Sequence, residues 1–161
     1  MTKNPDTSSI KKKKSAVVRR KKAVRSIKSG VQVVPFPTNL ERVRIIRSGI
    51  PPTSLEVISA ELNRPVKAIL ELVGIAQTTY NKKKKEGSNL NAGDSELIVL
   101  ITELLTVGVE VFNGEKEKFQ RWFAKPNAAL GGNTPESLID TKTGIDEVMR
   151  CLHRIEYGNL A

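Results

Sequence analysis

Only one cysteine, Cys151, and one histidine, His153, occur in the 161 residues. A lone thiol excludes an internal disulfide and suits a reducing compartment. The two residues provide no recognisable zinc set. Two apart on a helix, they point to different sides, which excludes a nucleophile–base pair. Aromatic residues make up 4% of the chain, so a core must be mostly aliphatic. No apolar run approaches the ~20 residues that span a bilayer. The basic N-terminus is not followed by the apolar stretch of a signal peptide. Acidic residues are scattered without a defensible catalytic pair. The glycines of LGGNTP lack the lysine and spacing of a phosphate-binding loop. The expectation is therefore a soluble cytoplasmic protein that is not an enzyme, with no metal, no cofactor and no membrane partner.

What the chain does have is positive charge, unevenly placed. The net charge is +10. Residues 1–30 hold 11 Lys and Arg against one acid, whereas residues 92–161 hold 7 against 11. Such asymmetry points one end at a polyanion and leaves the other for a different task. In residues 1–38, lysine clusters repel one another and apolar surface is too scarce to offset ordering entropy. A disordered basic tail is expected there, able to contact phosphates. A solubilising role would produce the same composition. Val31 to Pro37 reads as extended, because proline disfavours helix at the residue before it.

Beyond the tail the pattern is helix after helix, and the expected fold class is all-α. SLEVISAELN aligns Leu55, Ile58 and Leu62, with Thr53 or Ser54 as caps. PVKAILELV opens at Pro65, buries Ile69, Leu72 and Val73, and stops at a left-handed Gly74. AQTTYNKKKK is polar at almost every position. Asn91 caps a long apolar helix that carries Leu97, Leu100, Ile101, Leu104, Leu105, Val111 and Phe112. EKEKFQRWFAK sets Phe119, Trp122 and Phe123 on one side, with Trp122 read as core. Thr134-Pro135 starts a short helix. Thr143 with Asp146 forms a capping-box-like start to the last helix, whose inner stripe is Ile145, Val148, Leu152 and Ile155. The expected division is a tail at 1–38, a helix-turn-helix domain at 39–90, and the long helix with a small helical domain at 91–161.

Residues 65–85 carry the first functional signal. A helix, a tight glycine turn and a second, polar helix make a helix-turn-helix pattern whose second helix enters the major groove of DNA. Gln77, Thr78, Thr79 and Asn81 suit base edges and phosphates, while Lys82, Lys83 and Lys85, within the run Lys82–Lys85, suit the phosphate backbone. Ile75 and Tyr80 are expected to face partly inward. A solvated surface helix would also be rich in lysine, but the basic tail favours DNA contact.

The C-terminal segment RWFAKPNAALGGNTPESLIDTKTGIDEVMRCLHRIEYGNLA has a second signal. It contains Trp122, then Pro126, Asn127, Ala129, Leu130, Gly131, Gly132, Thr134, Pro135, Leu138 and Ile139, then Leu152, Arg154, Ile155, Glu156 and Gly158. This order resembles the Xre/MbcA/ParS-like toxin-binding domain of bacterial antitoxins. The Xre-type helix-turn-helix half is matched more loosely from about Gly49, with Leu70 where such folds often have alanine. The tail lies outside the resemblance.

The resemblance implies a type II toxin–antitoxin function. The implied partner is a RES-domain toxin, an NAD-consuming enzyme whose active site the antitoxin covers. The implied second role is repression of its own operon through double-stranded operator DNA. Toxin-facing residues would be Asn127, Leu130, Gly131, Gly132, Arg154, Glu156, Tyr157, Gly158, Asn159, Leu160 and Ala161. A structural turn under the last helix would equally account for Gly131, Gly132, Thr134 and Pro135. Exposed terminal residues gain little from packing, which favours partner contact at Tyr157, Asn159, Leu160 and Ala161. The pseudo-palindromic operators of helix-turn-helix proteins, with the apolar helix 91–112, lead us to expect a homodimer. The alternative is a stand-alone helix-turn-helix regulator without a toxin partner.

Overall fold

The computed structural model describes Ser26–Ser29, Gln32–Pro35 and residues 38–158. Strands β1 (Ser26–Ser29) and β2 (Gln32–Pro35) pair antiparallel, with Ile27 opposite Val34. β2 falls in the stretch expected to be extended, and β1 lies beside the helices Ser54–Leu62 and Ala92–Val111. Both strands belong to the segment read as a disordered tail, and residues 1–25 of that tail lie outside the described residues.

Everything after the strands is helical. The helices are α1 (Asn39–Ser48), α2 (Ser54–Leu62), α3 (Val66–Val73), α4 (Gln77–Glu86), α5 (Ala92–Val111), α6 (Lys116–Phe123) and α7 (Lys142–Glu156). Two short 3-10 turns, Ala128–Leu130 and Pro135–Leu138, separate α6 from α7. The fold is all-α, as expected.

Local signals set most boundaries. Asn91 caps α5 by accepting from the Asp94 amide at 2.8 Å, and Thr134 caps the Pro135 turn through the Ser137 amide at 3.2 Å. Gly74 ends α3 at φ 71° and Gly87 ends α4 at φ 62°, both left-handed. Two expectations are corrected. Thr141, not Thr143, caps α7, accepting from the Gly144 amide at 3.1 Å. In α3, Leu70 is buried and Leu72 is only partly so. The buried set Ile69, Leu70 and Val73, with Val66 packed against it, follows the i, i+3, i+4, i+7 stripe that starts one residue after the proline.

α5 is the axis of the molecule. It packs against α1, α2, α6 and α7, so its buried residues do not form one stripe. Ile98, Val99, Ile101, Leu104 and Leu105 are buried, whereas Leu97 and Leu100 are partly exposed. A single hydrophobic core runs from Ile50 to Leu152 through both halves of the chain. Phe112, Phe119, Trp122 and Phe123 form an aromatic cluster where α5 meets α6, with Phe119 and Phe123 fully buried and Trp122 partly so. Ile145, Val148 and Leu152 are buried on α7 as expected, and Ile155 is partly exposed.

The end of α2 is held by the C-terminal half. Lys116 Nζ donates to the Ala60 carbonyl at 3.3 Å, and Gln120 Nε2 donates to the Glu61 carbonyl. Arg64 grips Glu136 with two hydrogen bonds, of 3.1 and 2.9 Å. Lys116 and Gln120 thereby satisfy carbonyls that a helix C-terminus leaves open. The Arg64–Glu136 pair ties the turn before α3 to the segment between α6 and α7. Arg64→Glu is expected to cost about 1 kcal/mol, the upper end for an accessible ion pair. The double exchange Arg64→Glu with Glu136→Arg is expected to recover most of it. Urea unfolding of the single and double variants checks this.

Candidate functional site

Two surfaces carry the residues singled out in the sequence. The first is α4. Its backbone follows α3 through the left-handed Gly74, and Ile75 and Tyr80 are buried as expected. Gln77, Thr78, Thr79, Asn81, Lys82 and Lys85 are exposed, and Lys83 is partly so. Gln77 Nε2 donates to Asn81 Oδ1 at 3.0 Å. The two amides therefore stand side by side, one helical turn apart, each with donor and acceptor capacity left for a base edge. Lys82, Lys83 and Lys85 have no ion-pair partner among the described residues.

Lys84 departs from the expectation for the lysine run. Its ammonium meets Glu56 Oε1 on α2 at 2.6 Å, and the Tyr80 hydroxyl donates to the same oxygen at 2.8 Å. Lys84 Nζ also sits 5.7 Å from the centre of the Tyr80 ring, within cation–π range. The hydrogen bonds from Lys84 and Tyr80 hold the Glu56 carboxyl below the usual carboxylate range. Burial, with the Glu56 charge beside it, pushes the Tyr80 phenol up, and the bond to Glu56 pushes Lys84 up. All three groups keep their neutral-pH forms. Glu56 was not legible as a site residue, because its partners lie 24 and 28 positions away.

The second surface combines the 127–133 loop with the end of α7. The loop is closed by its own backbone: the Asn127 amide donates to the Asn133 carbonyl at 3.0 Å, and the Gly132 amide to the Asn127 carbonyl at 2.9 Å. Asn127 Oδ1 accepts from the Ala129 amide, and its Nδ2 lies 3.6 Å from Cys151 Sγ. Leu130 is buried and anchors the loop, so the structure turns it away from the face on which a partner was expected. Gly131 and Gly132 are exposed at φ 65° and 84°. Nothing lies within 4 Å of where a Gly132 side chain would start. That glycine is needed for its positive φ and leaves open space above the turn.

On α7, Cys151 is buried and His153 is exposed, as the helical spacing requires. Arg154, Glu156, Tyr157 and Gly158 are exposed, and Tyr157 keeps 75% of its surface in solvent. Its ring stacks on His153 with centroids 6.3 Å apart. Glu147, Arg150, His153, Arg154 and Tyr157 line a shallow depression there. Asn159, Leu160 and Ala161 lie outside the described residues. Among the described residues no cluster of His, Cys, Asp and Glu could hold a metal ion, and no single helix is long and apolar enough to cross a membrane.

These features have counterparts in known proteins. Residues 108–158 match the profile of the antitoxin Xre/MbcA/ParS C-terminal toxin-binding domain. That span begins inside α5, at Gly108, and ends one residue after Tyr157. The chain is 32% identical over 114 residues to an antitoxin Xre of Photorhabdus laumondii, covering 71% of this chain and 77% of that one. It is 27% identical over 113 residues to an antitoxin Xre of Yersinia enterocolitica, covering 70% and 76% of the two chains. A Prs ADP-ribosylating antitoxin of a Sphingobium species is 28% identical over 130 residues, covering 76% and 82%. The chain belongs to the Xre/MbcA/ParS family of antitoxins.

Proposed function

We propose that this antitoxin neutralises a RES-type, NAD-consuming toxin with its C-terminal surface and represses its own operon through α4. The observation that carries the first part is Tyr157, an aromatic side chain left in solvent at the end of the toxin-binding region. In the same matched region, the exposed turn at Gly131 and Gly132 offers backbone that a partner can approach closely. Removal of water from a large aromatic ring is a common source of interface affinity. The second part rests on the exposed Gln77–Asn81 pair and on Lys82, Lys83 and Lys85, which have no ion-pair partner among the described residues and combine base-edge chemistry with phosphate attraction. The protein acts as a homodimer in this reading. Leu40 and Val43, exposed on one side of α1, would supply apolar contact between copies, and two-fold symmetry would match a pseudo-palindromic operator.

The test is co-purification of the neighbouring gene product with this chain, followed by an NAD-consumption assay before and after the chain is stripped away. NAD consumption that appears only after stripping supports the proposal. A partner with no such activity, or none at all, leaves the stand-alone regulator.

The basic N-terminal segment enters as a phosphate-binding arm. Removing residues 1–25, which carry 10 Lys and Arg and leave β1 in place, is expected to flatten the dependence of log affinity on log salt. Each lost phosphate contact lowers the slope by about 0.9. Sequence preference, read by α4, is expected to persist. Fluorescence anisotropy on DNA between low and moderate salt checks both.

A further inference from the structure

We propose that Glu56 is a positioning residue for the reading face of α4: its carboxylate, joined to the Tyr80 hydroxyl and the Lys84 ammonium, fixes how α4 presents Gln77 and Asn81. The inference rests on the DNA-reading proposal above. α4 needs such support because it has little apolar grip. Its sequence, QTTYNKKKKE, contains no aliphatic side chain, and Tyr80 is its one buried residue. A helix held by a single ring is free to roll about it. Glu56 adds a second point of attachment, because Tyr80 and Lys84 are one helical turn apart and meet the same carboxylate oxygen. Glu56 itself sits on α2, between Leu55, which is fully buried, and Ile58, so its backbone is firmly seated. The Tyr80–Lys84 stripe adjoins the Gln77–Asn81 stripe at roughly 60° around the helix. A roll about Tyr80 therefore moves the two amides directly. The three groups stay in their ionised or hydrogen-bonding forms at neutral pH, so the attachment persists under DNA-binding conditions.

Charge alone predicts the opposite behaviour. Glu56 is an acid beside a lysine run, and removing it should strengthen attraction to phosphates. The experiment compares wild type, Glu56→Ala and Glu56→Gln on two duplexes, one from the region upstream of the chain's own gene and one a scrambled duplex of equal length. Glu56→Ala is expected to weaken binding to the upstream duplex about tenfold, the value of one base contact, without weakening the scrambled one. Glu56→Gln keeps an acceptor for Tyr80 and Lys84 and is expected to lose no more than about threefold, within the range of one neutral hydrogen bond. Both variants remove the same charge. Equal tightening by both on both duplexes would overturn the proposal. Amide hydrogen exchange without DNA provides the second reading. Faster exchange across α4 in Glu56→Ala, with α7 unchanged, supports positioning, and unchanged exchange in α4 overturns it. A wild-type chain that does not separate the two duplexes defeats the DNA-reading proposal, and the exchange data then still decide whether Glu56 holds α4.

Discussion

Gly144→Ala is expected to destabilise the chain by about 3 kcal/mol, the upper end for forced overpacking. That corresponds to a fall in Tm of about 10 °C for a domain of this size. A side-chain carbon at Gly144 would stand 1.9 Å from the Leu138 carbonyl oxygen and 3.0 Å from Thr141 Oγ. The first obstacle is backbone, so no rotamer change relieves it. The Pro135–Leu138 turn or the first turn of α7 must move. Gly132→Ala is the matched control. It also sits in the toxin-binding region, at φ 84°, but meets nothing within 4 Å. Its cost is the left-handed conformation alone, about 1–2 kcal/mol. Thermal unfolding of the two variants separates close packing from backbone conformation. Equal shifts would mean that the turn yields readily to α7. The Pro135–Leu138 turn also carries Glu136, which Arg64 holds, so a displaced turn would loosen that contact as well.

Gly144 shows where the sequence was legible and where it was not. A glycine in the first turn of a helix is unremarkable by composition, and nothing local announces that a carbonyl lies against it. The same close approach explains the misplaced cap. Thr141 and Thr143 offer the same hydroxyl two residues apart, and only contact with the preceding turn selects Thr141, whose oxygen then takes the Gly144 amide. Signals confined to one segment were read well: the left-handed Gly74, the Asn91 cap and the Ile145–Val148–Leu152 stripe all stand where periodicity and capping chemistry put them. α5 was legible as a helix but not in its buried pattern, because a helix packed on several sides has no single apolar face. The exposed polar face of α4 was also legible, residue by residue. The pairing of Lys84 with Glu56 was not, since an ion pair across 28 positions leaves no trace in spacing.

Tyr157→Ala is expected to weaken toxin neutralisation about a hundredfold while leaving Tm unchanged within about 1 °C, as befits a truncated interface aromatic that supports no core. The reasoning starts from scarcity. The chain contains seven aromatic residues, and among the described ones Tyr80, Phe119 and Phe123 are buried while Phe112 and Trp122 pack against the core. Among the described aromatic residues Tyr157 alone is left exposed, its ring stacked on His153. Truncating it opens no cavity, so folding has little to lose. A toxin that covers the ring would lose its desolvation and its stacking together. Titrating variant against toxin and following residual toxin activity measures the loss. Tyr157→Phe is expected to retain most of the neutralisation if the ring dominates, and to fall with Tyr157→Ala if the hydroxyl does. Unchanged neutralisation by Tyr157→Ala would move the contact from the end of α7 to the Gly131–Gly132 turn, where backbone rather than a side chain would meet the toxin.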